Sequence, residues 1–423
     1  MNDSSPASPK LLSGVKVLDF TQYLAGPAAT RLFADFGAEV IKIERTPDGD
    51  LGRKIHFVAP GISAFFLAVS AGKKSVALSF ETKAGRTIVR ELVRQADVVI
   101  ENYSPGVMAK YGFDYVSLKA IKPDLVMASI SGFGQHGPYA RQPSFDIVAQ
   151  AQSGVMAMTG EPDGPPQYVG NYFGDPNAGI HAAFAVAAAL FQRGRSGDGQ
   201  YIDVSQLESL VYLDYVNFPL AMMSDGRIKP HRFGGDFFNI CPYGTYRSKQ
   251  GYIVFAVAEH QWGPLVRAMG RPELEHDSRY ATQEGRCARR PEVRAVIEAW
   301  LAGFDDDRTP LAILAEARVP SAPILEIEQV PEHEQIKARA VYQQVGHPEL
   351  GPVPIARSPF RFSTVDNTIP FRAPYLGEHN EAVLGGYLGY DEARMRALYA
   401  DGVLVQDPKV GELGAAVWPP GSR

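Results

Sequence analysis

The sequence predicts an α/β fold in which a mostly parallel sheet is covered by helices on both sides. Three observations favour this fold. Short apolar runs rich in Val and Ile recur along the first half of the chain, segments with helical periodicity separate them, and polar or glycine residues follow the apolar runs. Strands that alternate with helices pair in parallel, because each helix returns the chain to the same end of the sheet.

The predicted elements follow one another regularly. Residues 1–10 are expected to be disordered. The predicted strands are residues 15–20, 39–44, 75–79, 97–101, 125–130 and 201–204. The predicted helices are residues 26–36, 82–96, 178–191 and 207–223. Ligands bind beyond the carboxyl ends of such strands, so the residues that follow each strand are the candidates for a binding site.

Residues 225–330 lack the regular alternation of strands and helices seen in the part of the chain before them. They contain a loop rich in glycine and aromatic residues at 233–238, a strand at 252–258 and several helical segments. We expect a small α+β domain here, after a large domain at 11–224. Residues 331–423 contain many prolines and end in a polar tail.

Composition limits the classes of function. A chain of 423 residues with 45% apolar and 21% charged residues is typical of a globular protein of two or three domains. The net charge of −5 gives no reason to expect nucleic acid or a membrane as a partner. Cys241 and Cys287 form neither a disulfide framework nor a zinc-spaced cluster, so no metal is expected. The polar amino terminus lacks a signal pattern, which favours a cytoplasmic location.

The tripeptide Gly174-Asp175-Pro176 precedes a long apolar helical run. Asp is a preferred N-cap residue, and Pro is preferred at the first helical position. We therefore expect Asp175 to cap the helix, whose amino terminus would keep the carboxylate ionised. A carboxylate held in this way can act as a covalent nucleophile. An ordinary helix cap is the alternative interpretation.

Other motifs are less decisive. The first strand is followed by one glycine, Gly26, and not by Gly-x-Gly-x-x-Gly, which disfavours nicotinamide and flavin enzymes. Residues 132–138 form a glycine-rich turn that is either a plain loop or backbone packed against a ligand. The pair Lys73-Lys74, together with Arg45 and Lys110, would suit a polyphosphate if these cations shared one rim of the sheet.

Seven segments occur in the order of the motifs of one known family. They are residues 12–20, 25–27, 35–44, 96–103 and 131–138, the pattern Gly174-Asp175-x-x-x-Gly179, and residues 376–379. Together they resemble the class III CoA-transferases, the family of formyl-CoA transferase and carnitine CoA-transferase. The resemblance extends over residues 12–405.

The resemblance implies a Rossmann-like large domain formed by both chain ends, to which residues 331–423 would return. It also implies that residues 225–330 form the small domain, that two subunits interlock as a homodimer, and that coenzyme A or acyl-CoA is the co-substrate without a metal. Asp175 matches the catalytic aspartate of the family. Gly234 and Gly235 resemble a mobile loop that covers the site.

The resemblance also assigns the contacts with CoA. They fall on Leu24, Ala25, Arg45, Leu78, Ser79, Phe80, Glu81, Asn102, Tyr103, Ser104, Lys110 and Asp146. Three of these positions depart from the family pattern. Ser79 often is Asp, Lys110 often is Arg, and Leu24 is Gln in formyl-CoA transferase. Leu24 therefore argues against specificity for formyl-CoA or oxalate.

Three functions remain open at this point. The first is transfer of CoA from an acyl-CoA, with succinyl-CoA as the expected donor, to an acid through an aspartyl anhydride and an aspartyl-CoA thioester. The second is racemisation of α-methylacyl-CoA, which uses a His–Asp pair. Phe145 stands where such a racemase has its His, and Phe carries no proton. The third is CoA binding without catalysis.

The acceptor acid also has two possible forms. A dicarboxylate would use cations, for which the candidates are Arg53, Arg141, His231 and Arg232. A hydrophobic acid would instead contact the aromatic residues Phe237, Phe238 and Tyr243.

Overall fold

The structure, a computed structural model, describes residues 10–366 and 368–412, so the predicted disordered segment 1–10 lies outside the described residues except for Lys10. The strands are β1 (Lys16–Asp19), β2 (Glu39–Arg45), β3 (Phe57–Ala59), β4 (Ile62–Ser63), β5 (Lys73–Leu78), β6 (Val98–Glu101), β7 (Val126–Ser131), β8 (Tyr201–Ser205), β9 (Tyr243–Arg247), β10 (Tyr252–Ala256), β11 (Ser321–Pro323), β12 (Tyr342–His347) and β13 (Gly351–Ala356).

The helices follow the same chain order. They are α1 (Ala25–Asp35), α2 (Ala64–Ser70), α3 (Lys83–Val93), α4 (Val107–Tyr111), α5 (Tyr115–Lys119), α6 (Asp146–Gln152), α7 (Val155–Met158), α8 (Gly174–Ser196), α9 (Gln206–Leu213), α10 (Asn217–Met223), α11 (Trp262–Ala268), α12 (Gln283–Ala288), α13 (Arg290–Leu301), α14 (Arg308–Glu316), α15 (Glu334–Ala338), α16 (Asn380–Leu388) and α17 (Glu392–Ala400). None of the described helices is long and apolar enough to cross a membrane.

The chain forms two compact units. The first holds the chain up to Ser153, Asn171–Leu213 and the chain from Gln335 onward; the second holds Gly154–Gly170 and Asp214–Glu334. The predicted domains at 11–224, 225–330 and 331–423 have other boundaries, because segment 154–170 and residues 214–224 group with the middle of the chain.

The first unit is built on a six-stranded sheet in the order β5-β2-β1-β6-β7-β8. Each neighbouring pair of strands is parallel, which confirms the predicted α/β fold with a parallel sheet. Alternate residues of a strand face opposite sides of the sheet. In β1, Val17 belongs to one apolar core and Leu18 to the other, so both faces of the sheet are covered.

Helices α1 and α8 pack closely on one face of this sheet. Their contact is made largely by small residues, including Ala29, Ala178 and Ala182, each of which is fully buried. A Cβ atom on Gly179 would lie 2.5 Å from the carbonyl oxygen of Ala25, so a glycine is required there. The close packing places the amino terminus of α8 beside the loop that precedes α1.

Residues near the carboxyl terminus cover the open edge of β5. The Asn380 Oδ1 atom accepts a hydrogen bond from the backbone N–H of Ala77 (2.9 Å), and its Nδ2 atom donates to the carbonyl of Val405 (2.9 Å). The N–H of Gly377 donates to Ser75 Oγ (2.9 Å). An edge strand exposes unpaired backbone groups, and the hydrogen bond to Asn380 satisfies the N–H of Ala77 on that edge.

The second unit has its own core around the antiparallel sheet β11-β10-β9. Tyr246, Phe255 and Leu265 are among its buried apolar residues. Arg286 is fully buried and donates hydrogen bonds to the carbonyls of Cys241 (2.9 Å) and Tyr280 (2.8 Å), which satisfies part of a charged group that burial would otherwise destabilise.

The predicted single helix at 207–223 is wrong. Helix α9 ends at Leu213 and α10 begins at Asn217. Between them, Asp214 Oδ1 accepts hydrogen bonds from the backbone N–H groups of Val216 (3.1 Å) and Asn217 (2.6 Å). An Asp side chain competes in this way with the helical pattern of backbone hydrogen bonds, and apolar periodicity alone does not reveal it.

Candidate active site

A cavity of about 180 Å³ lies at the carboxyl edge of the parallel sheet, within the first unit. It is lined by loops that follow strands β1, β6, β7 and β8 and by the starts of α1 and α8. The lining residues are Gln22, Tyr23, Leu24, Ala25, Asn102, Ser104, Ile130, Ser131, Gly132, Ser144, Phe145, Asp175 and Gln206. The location agrees with the rule that ligands bind at the carboxyl ends of parallel strands.

Asp175 is the carboxylic acid that lines this cavity. It is the second residue of α8, and only 9% of its surface is exposed. The Gln206 Nε2 atom donates a hydrogen bond to Asp175 Oδ1. The backbone N–H of Asp175 donates to Asp146 Oδ1 (2.9 Å). The side chain is therefore held by one neighbour and the backbone by another.

The prediction that Asp175 caps α8 is wrong. The residue before the helix is Phe173, and Asp146 of α6 supplies the capping carboxylate from outside the helix. Asp146 Oδ1 accepts hydrogen bonds from the backbone N–H groups of Phe173 and Asp175, both at 2.9 Å. Gln150 Nε2 donates to Asp146 Oδ2 (2.6 Å). The orphan N–H groups of the helix thus point at Asp146 and not at the Asp175 side chain.

The expectation that the helix terminus keeps Asp175 ionised is also wrong. Burial, and then the nearby carboxylate of Asp146, raise the pKa of Asp175 to about 7. Both causes oppose ionisation, since one removes water and the other adds like charge. A carboxylate formed there is more basic than an ordinary aspartate, and it carries few water molecules that a substrate would have to displace.

The loop between β1 and α1 is held rigidly beside Asp175. Asn102 accepts a hydrogen bond from the N–H of Gln22 (2.8 Å) and donates one to its carbonyl (2.8 Å). Asp50 Oδ1 accepts from the N–H of Tyr23 (2.9 Å), and Lys42 Nζ donates to the carbonyl of Thr21 (2.6 Å). Tyr23 has a φ of 59°, a conformation that non-glycine residues rarely adopt without such support.

Buried ion pairs lie under this loop. Lys42 pairs with Asp50 (2.8 Å) and Lys73 with Asp19 (3.1 Å), and all four side chains are almost fully buried. The suggestion that Lys73 stands at a rim for polyphosphate is therefore wrong. Removal of one partner of a buried pair leaves an unpaired charge, so these residues hold the loop in place.

A second cavity, of about 450 Å³, adjoins the first. Its lining includes Arg45, Asp48 and Tyr103, and it shares Gln22 and Ser104 with the cavity at Asp175. The two cavities thus share part of their lining along the carboxyl edge of the sheet, and we call them together the cleft. Arg45 lines the larger cavity and Asp175 lines the smaller one.

Cations gather near this larger cavity. Glu81 Oε1 accepts hydrogen bonds from Tyr111 Oη (2.7 Å) and Arg45 Nη2 (3.0 Å). The hydrogen bond from Tyr111, followed by the charges of Lys110, Arg45 and Arg86, lowers the pKa of Glu81. Three cations thus act on one carboxylate beside Arg45, and such a group of cations suits phosphate.

Of the twelve predicted CoA contacts, six line the two cavities: Leu24, Ala25, Arg45, Asn102, Tyr103 and Ser104. The other six do not. The side chains of Leu78 and Phe80 are buried in the core, and the N–H of Ser79 donates to the carbonyl of Val403 (2.8 Å). Glu81 and Lys110 are exposed near Arg45. Asp146, the first residue of α6, is buried against the amino terminus of α8. The CoA contacts stay predictions.

Gly234 and Gly235 belong to the second unit. The N–H of Gly234 donates to the carbonyl of Gly160 (2.9 Å), and a Cβ atom there would lie 2.8 Å from Glu161 Oε2. A Cβ atom on Gly235 would overlap Thr245 Oγ1. Gly234 has a φ of +62°, which favours glycine, and Gly235 has no room for a Cβ atom in this conformation. The part of both residues in a mobile lid stays a prediction.

The cations suggested for an acceptor carboxylate are in part already engaged. Arg53 makes two hydrogen bonds to Glu44, at 2.8 and 2.7 Å. Arg232 donates to the backbone carbonyls of Ala157, Glu161 and Gly164. Arg141 and His231 are exposed.

Gln206 is the pocket residue that sequence reasoning missed. It directly follows β8, whose carboxyl end was predicted at residue 204. A signal was available, because Ser205-Gln206-Leu207-Glu208 has the Ser-x-x-Glu pattern of a helix start. Ser144 and Gly132, which lie beside Gln206, were likewise given no individual role.

Comparison with known proteins agrees with this geometry. The sequence model of CoA-transferase family III matches residues 12–380. The chain belongs to CoA-transferase family III. This confirms the resemblance inferred from the motifs and the assignment as an enzyme of the class III CoA-transferase type.

Relatives in the family carry several substrate names. A formyl-CoA:oxalate CoA-transferase of Streptomyces avermitilis is 34% identical, over 93% of this chain and 100% of the relative. A succinate–glutarate CoA-transferase of Agrobacterium fabrum is 36% identical, over 88% and 94%. A succinyl-CoA:mesaconate CoA-transferase of Haloarcula marismortui is 37% identical, over 88% and 95%.

Two solved structures have a similar fold. The crystal structure of a CAIB/BAIF family protein from Brucella suis matches with a TM-score of 0.80 and 37% identity, over 90% of this chain and 100% of that chain. Rv3272 from Mycobacterium tuberculosis matches with a TM-score of 0.78 and 31% identity, over 89% and 99%.

Proposed function

We propose that this enzyme moves CoA from succinyl-CoA to a free carboxylic acid, with Asp175 as the covalent nucleophile. The observation that carries the proposal is the position of Asp175, whose buried carboxyl group lines the smaller cavity of the cleft, while Arg45 lines the larger one. Membership of CoA-transferase family III supports the overall reaction. CoA and acyl-CoA are then co-substrates, with the phosphates near Arg45 and Lys110.

The first half of the reaction transfers CoA to the enzyme. The Asp175 carboxylate attacks the thioester carbonyl of the donor, the carbon–sulfur bond breaks, and a mixed anhydride and CoA thiolate result. The thiolate then attacks the aspartyl carbonyl, which releases the donor acid and leaves an aspartyl-CoA thioester. Burial of Asp175 excludes water from two intermediates that hydrolysis would destroy.

The second half repeats these steps in reverse order. The acceptor carboxylate attacks the aspartyl thioester and forms a second anhydride, with release of CoA thiolate. The thiolate attacks the acceptor carbonyl, which yields the new acyl-CoA and restores the Asp175 carboxylate. One thioester replaces another, so the exchange needs neither ATP nor an oxidant.

The relatives support a small polar acid as the acceptor. Their names include oxalate, glutarate and mesaconate, and two of them pair such an acid with succinate or succinyl-CoA. The cavity at Asp175 offers amide and hydroxyl groups from Gln22, Asn102, Ser104 and Ser144, which suit a polar acyl group. A purely hydrophobic acid is therefore the less favoured acceptor.

Racemisation is less well supported than transfer. Phe145 lines the cavity and packs edge-on against the Tyr23 ring at 5.9 Å. Phe carries no proton, so the described cavity lining lacks the histidine of a His–Asp pair. We expect no exchange of the α-proton of a 2-methylacyl-CoA into D₂O.

A homodimer fits the surface of the first unit. Helix α8 exposes a row of large apolar side chains, Ile180 (55%), Phe184 (76%) and Phe191 (69%), which a second copy of the chain would cover. The interlocked arrangement remains part of this proposal. The free thiols of Cys241 and Cys287 suit a reducing compartment, which supports a cytoplasmic location.

The central test is the variant Asp175→Ala. We expect transfer from succinyl-CoA to a panel of acids, followed as new CoA esters by mass spectrometry, to fall by at least about 10³-fold, because no nucleophile remains. CoA binding should change little. Incubation of the wild type with acyl-CoA and then hydroxylamine should modify Asp175, as seen in peptide masses.

The control is Asp198→Ala, which removes an exposed carboxylate before β8 and should leave transfer unchanged. Substantial transfer by Asp175→Ala would remove this residue from its proposed role. CoA binding by the wild type without turnover of any acid in the panel would favour a non-catalytic CoA-binding protein.

A further inference from the structure

Gln206 contacts the Asp175 carboxyl group from a fixed position. It is the first residue of α9, and 7% of its surface is exposed. The preceding Ser205 Oγ accepts a hydrogen bond from the N–H of Glu208 (3.0 Å) and donates one to its carboxylate (2.7 Å). These contacts fix the start of α9 directly after β8.

A short chain of contacts orients the Gln206 carboxamide. Its Oε1 atom accepts a hydrogen bond from Ser144 Oγ (3.5 Å), while its Nε2 atom donates to Asp175 Oδ1. Ser144 lies directly over Gly132, where a Cβ atom would overlap the Ser144 side chain. The carbonyl of Gly132 also accepts from the N–H of Leu207 (3.1 Å). The glycine-rich turn thus supports Gln206.

We propose that Gln206 is a positioning residue that holds Asp175 Oδ1 and leaves Oδ2 as the oxygen that attacks the thioester. The proposal rests on the nucleophilic role of Asp175 proposed above. Among the hydrogen bonds of the described residues, Oδ1 receives its donor from Gln206 and Oδ2 receives none. One oxygen is held by a donor and the other has no donor among the described residues, which is the arrangement a directed attack requires.

The same contact favours ionisation of the nucleophile. A hydrogen bond donated to a carboxylate stabilises its charged form, so it opposes burial and Asp146, which raise the pKa of Asp175. Loss of the donor would raise that pKa further. The acidic limb of the rate profile would then move to higher pH, because more alkaline conditions would be needed to form the carboxylate.

The charged groups around Asp175 bear on this effect. Apart from burial, the charge of Asp146 on α6 is what raises the pKa of Asp175. The other titratable groups on α8 and on the elements packed against it are His181, Arg193 and Arg195 on α8, Arg31 and Asp35 on α1, Tyr201 and Asp203 on β8, and Glu208 and Tyr212 on α9. Arg31 pairs with Asp35 (2.9 Å), and Glu208 is engaged with Ser205. Loss of the Gln206 amide changes none of these charges.

The test compares wild type with Gln206→Met, which keeps the length of the side chain but removes its amide. The rate of Asp175 acylation is measured by quenching with hydroxylamine and peptide mass, across roughly pH 5 to 9. We expect kcat and the acylation rate to fall about 10- to 100-fold, with KM for succinyl-CoA nearly constant. The acidic limb should move upward by about one pH unit.

The matched control is Gln200→Met. Gln200 precedes β8, at the opposite end of the strand from Gln206, and its amide donates to Gln192 Oε1 (2.9 Å) on the surface. The same substitution there should alter neither the rate nor the pH profile. A purely structural effect of Gln206→Met would lower the amount of folded protein but leave the pH limb in place.

A second variant, Gln206→Glu, keeps the shape of the side chain and places a second carboxyl group beside Asp175. Like charges raise each other's pKa, so its acidic limb should lie above that of the wild type even if Gln206→Met folds poorly. If Asp175 is acylated in the wild type but the acidic limb of the pH–rate profile is unchanged in the folded variants, the positioning role of Gln206 is overturned and the proposed function is not. Absence of any acylation of Asp175 in the wild type would overturn the proposed function itself.

Discussion

Glu101 is a buried carboxyl group at the carboxyl end of β6, directly before the cleft residue Asn102. It is 3% exposed, and one of its oxygens accepts a hydrogen bond from the N–H of Tyr103 (2.7 Å). Burial raises its pKa from 4.5 to about 7. The neutral acid is therefore the form that the folded protein favours over the ion.

This pKa predicts how stability changes with pH. The folded-state pKa lies above the unfolded value, so the stabilising contribution of Glu101 is complete below about pH 4.5 and is lost as the pH rises to about 7. Glu101→Gln keeps an acceptor for Tyr103 but cannot ionise. At pH 8 it should raise the free energy of unfolding by up to roughly 3 kcal/mol, and near pH 4 it should have little effect.

Urea denaturation of wild type and variant at the two pH values measures the difference. Glu381→Gln, which changes an exposed glutamate at the start of α16, serves as the control and should show no such pH-dependent gain. An equal effect of Glu101→Gln at both pH values would mean that folding does not shift the pKa of this group.

At the scale of single residues, the sequence pointed to Asp175, the acid proposed as the nucleophile, but misjudged its surroundings. Gly174-Asp175-Pro176 correctly indicated a helix start. The capping carboxylate, however, comes from Asp146, which lies 29 residues earlier. Local sequence preferences predict an acidic residue at a helix start. They do not distinguish an acid on the helix itself, such as Asp175, from an acid on another helix, such as Asp146. Gln206 was missed for the same reason, since its partner Asp175 is 31 residues away.

Among the elements, the turn after β7 shows how tightly the cleft is assembled. The sequence left open whether its glycines form a plain loop or approach a ligand. In the structure, Gly132 makes room for Ser144, which lies against it and contacts Gln206. The requirement for glycine thus comes from another part of the protein.

This packing predicts the effect of Gly132→Ala. The added methyl group would overlap the Ser144 side chain, so we expect transfer activity to fall about tenfold or more and unfolding to become easier by about 1–3 kcal/mol. The double variant Gly132→Ala/Ser144→Gly removes the overlapping atoms and should recover much of the lost stability. Thermal melts and the transfer assay measure both effects.

Gly194→Ala is the matched control, since a Cβ atom on this residue of α8 meets nothing within 4 Å. It should be neutral or slightly stabilising, because alanine favours a helix more than glycine does. If Gly132→Ala behaves like Gly194→Ala, Ser144 has room to move and the support for Gln206 is looser than proposed.

The elements of the parallel sheet were predictable, and their partners were less so. Apolar runs marked the strands β1, β2, β5, β6, β7 and β8 to within a few residues. The cover of the β5 edge was not visible, because Asn380 bonds to Ala77, 303 residues away. A hydrogen bond between such distant residues leaves no periodic pattern in the sequence.

The whole molecule presents an apolar row on α8 that the first unit leaves uncovered. Burial of alanines on the inner side of this helix anchors it to the sheet, while Phe184 on the outer side is 76% exposed. A surface of this kind is typical of a protein–protein interface. The proposed homodimer would cover this surface, and both the dimer and its interlocking stay proposals.

We therefore expect Phe184→Glu to shift the protein from dimer toward monomer at micromolar concentration, because a charge would be buried in the interface. Sedimentation velocity measures the change. Val116→Glu on α5 replaces another strongly exposed apolar residue (78%) and should leave the association state unchanged. A wild-type protein that sediments as a monomer would contradict the homodimer.

The contact of Asn380 with β5 has a consequence for biosynthesis. Strand β5 leaves the ribosome early, but the residues that cover its edge are translated about 300 positions later. Until those residues are translated, the edge of β5 has unpaired backbone N–H and carbonyl groups that can pair with other chains. Cellular chaperones that shield such polypeptides during elongation should therefore improve the yield of this protein.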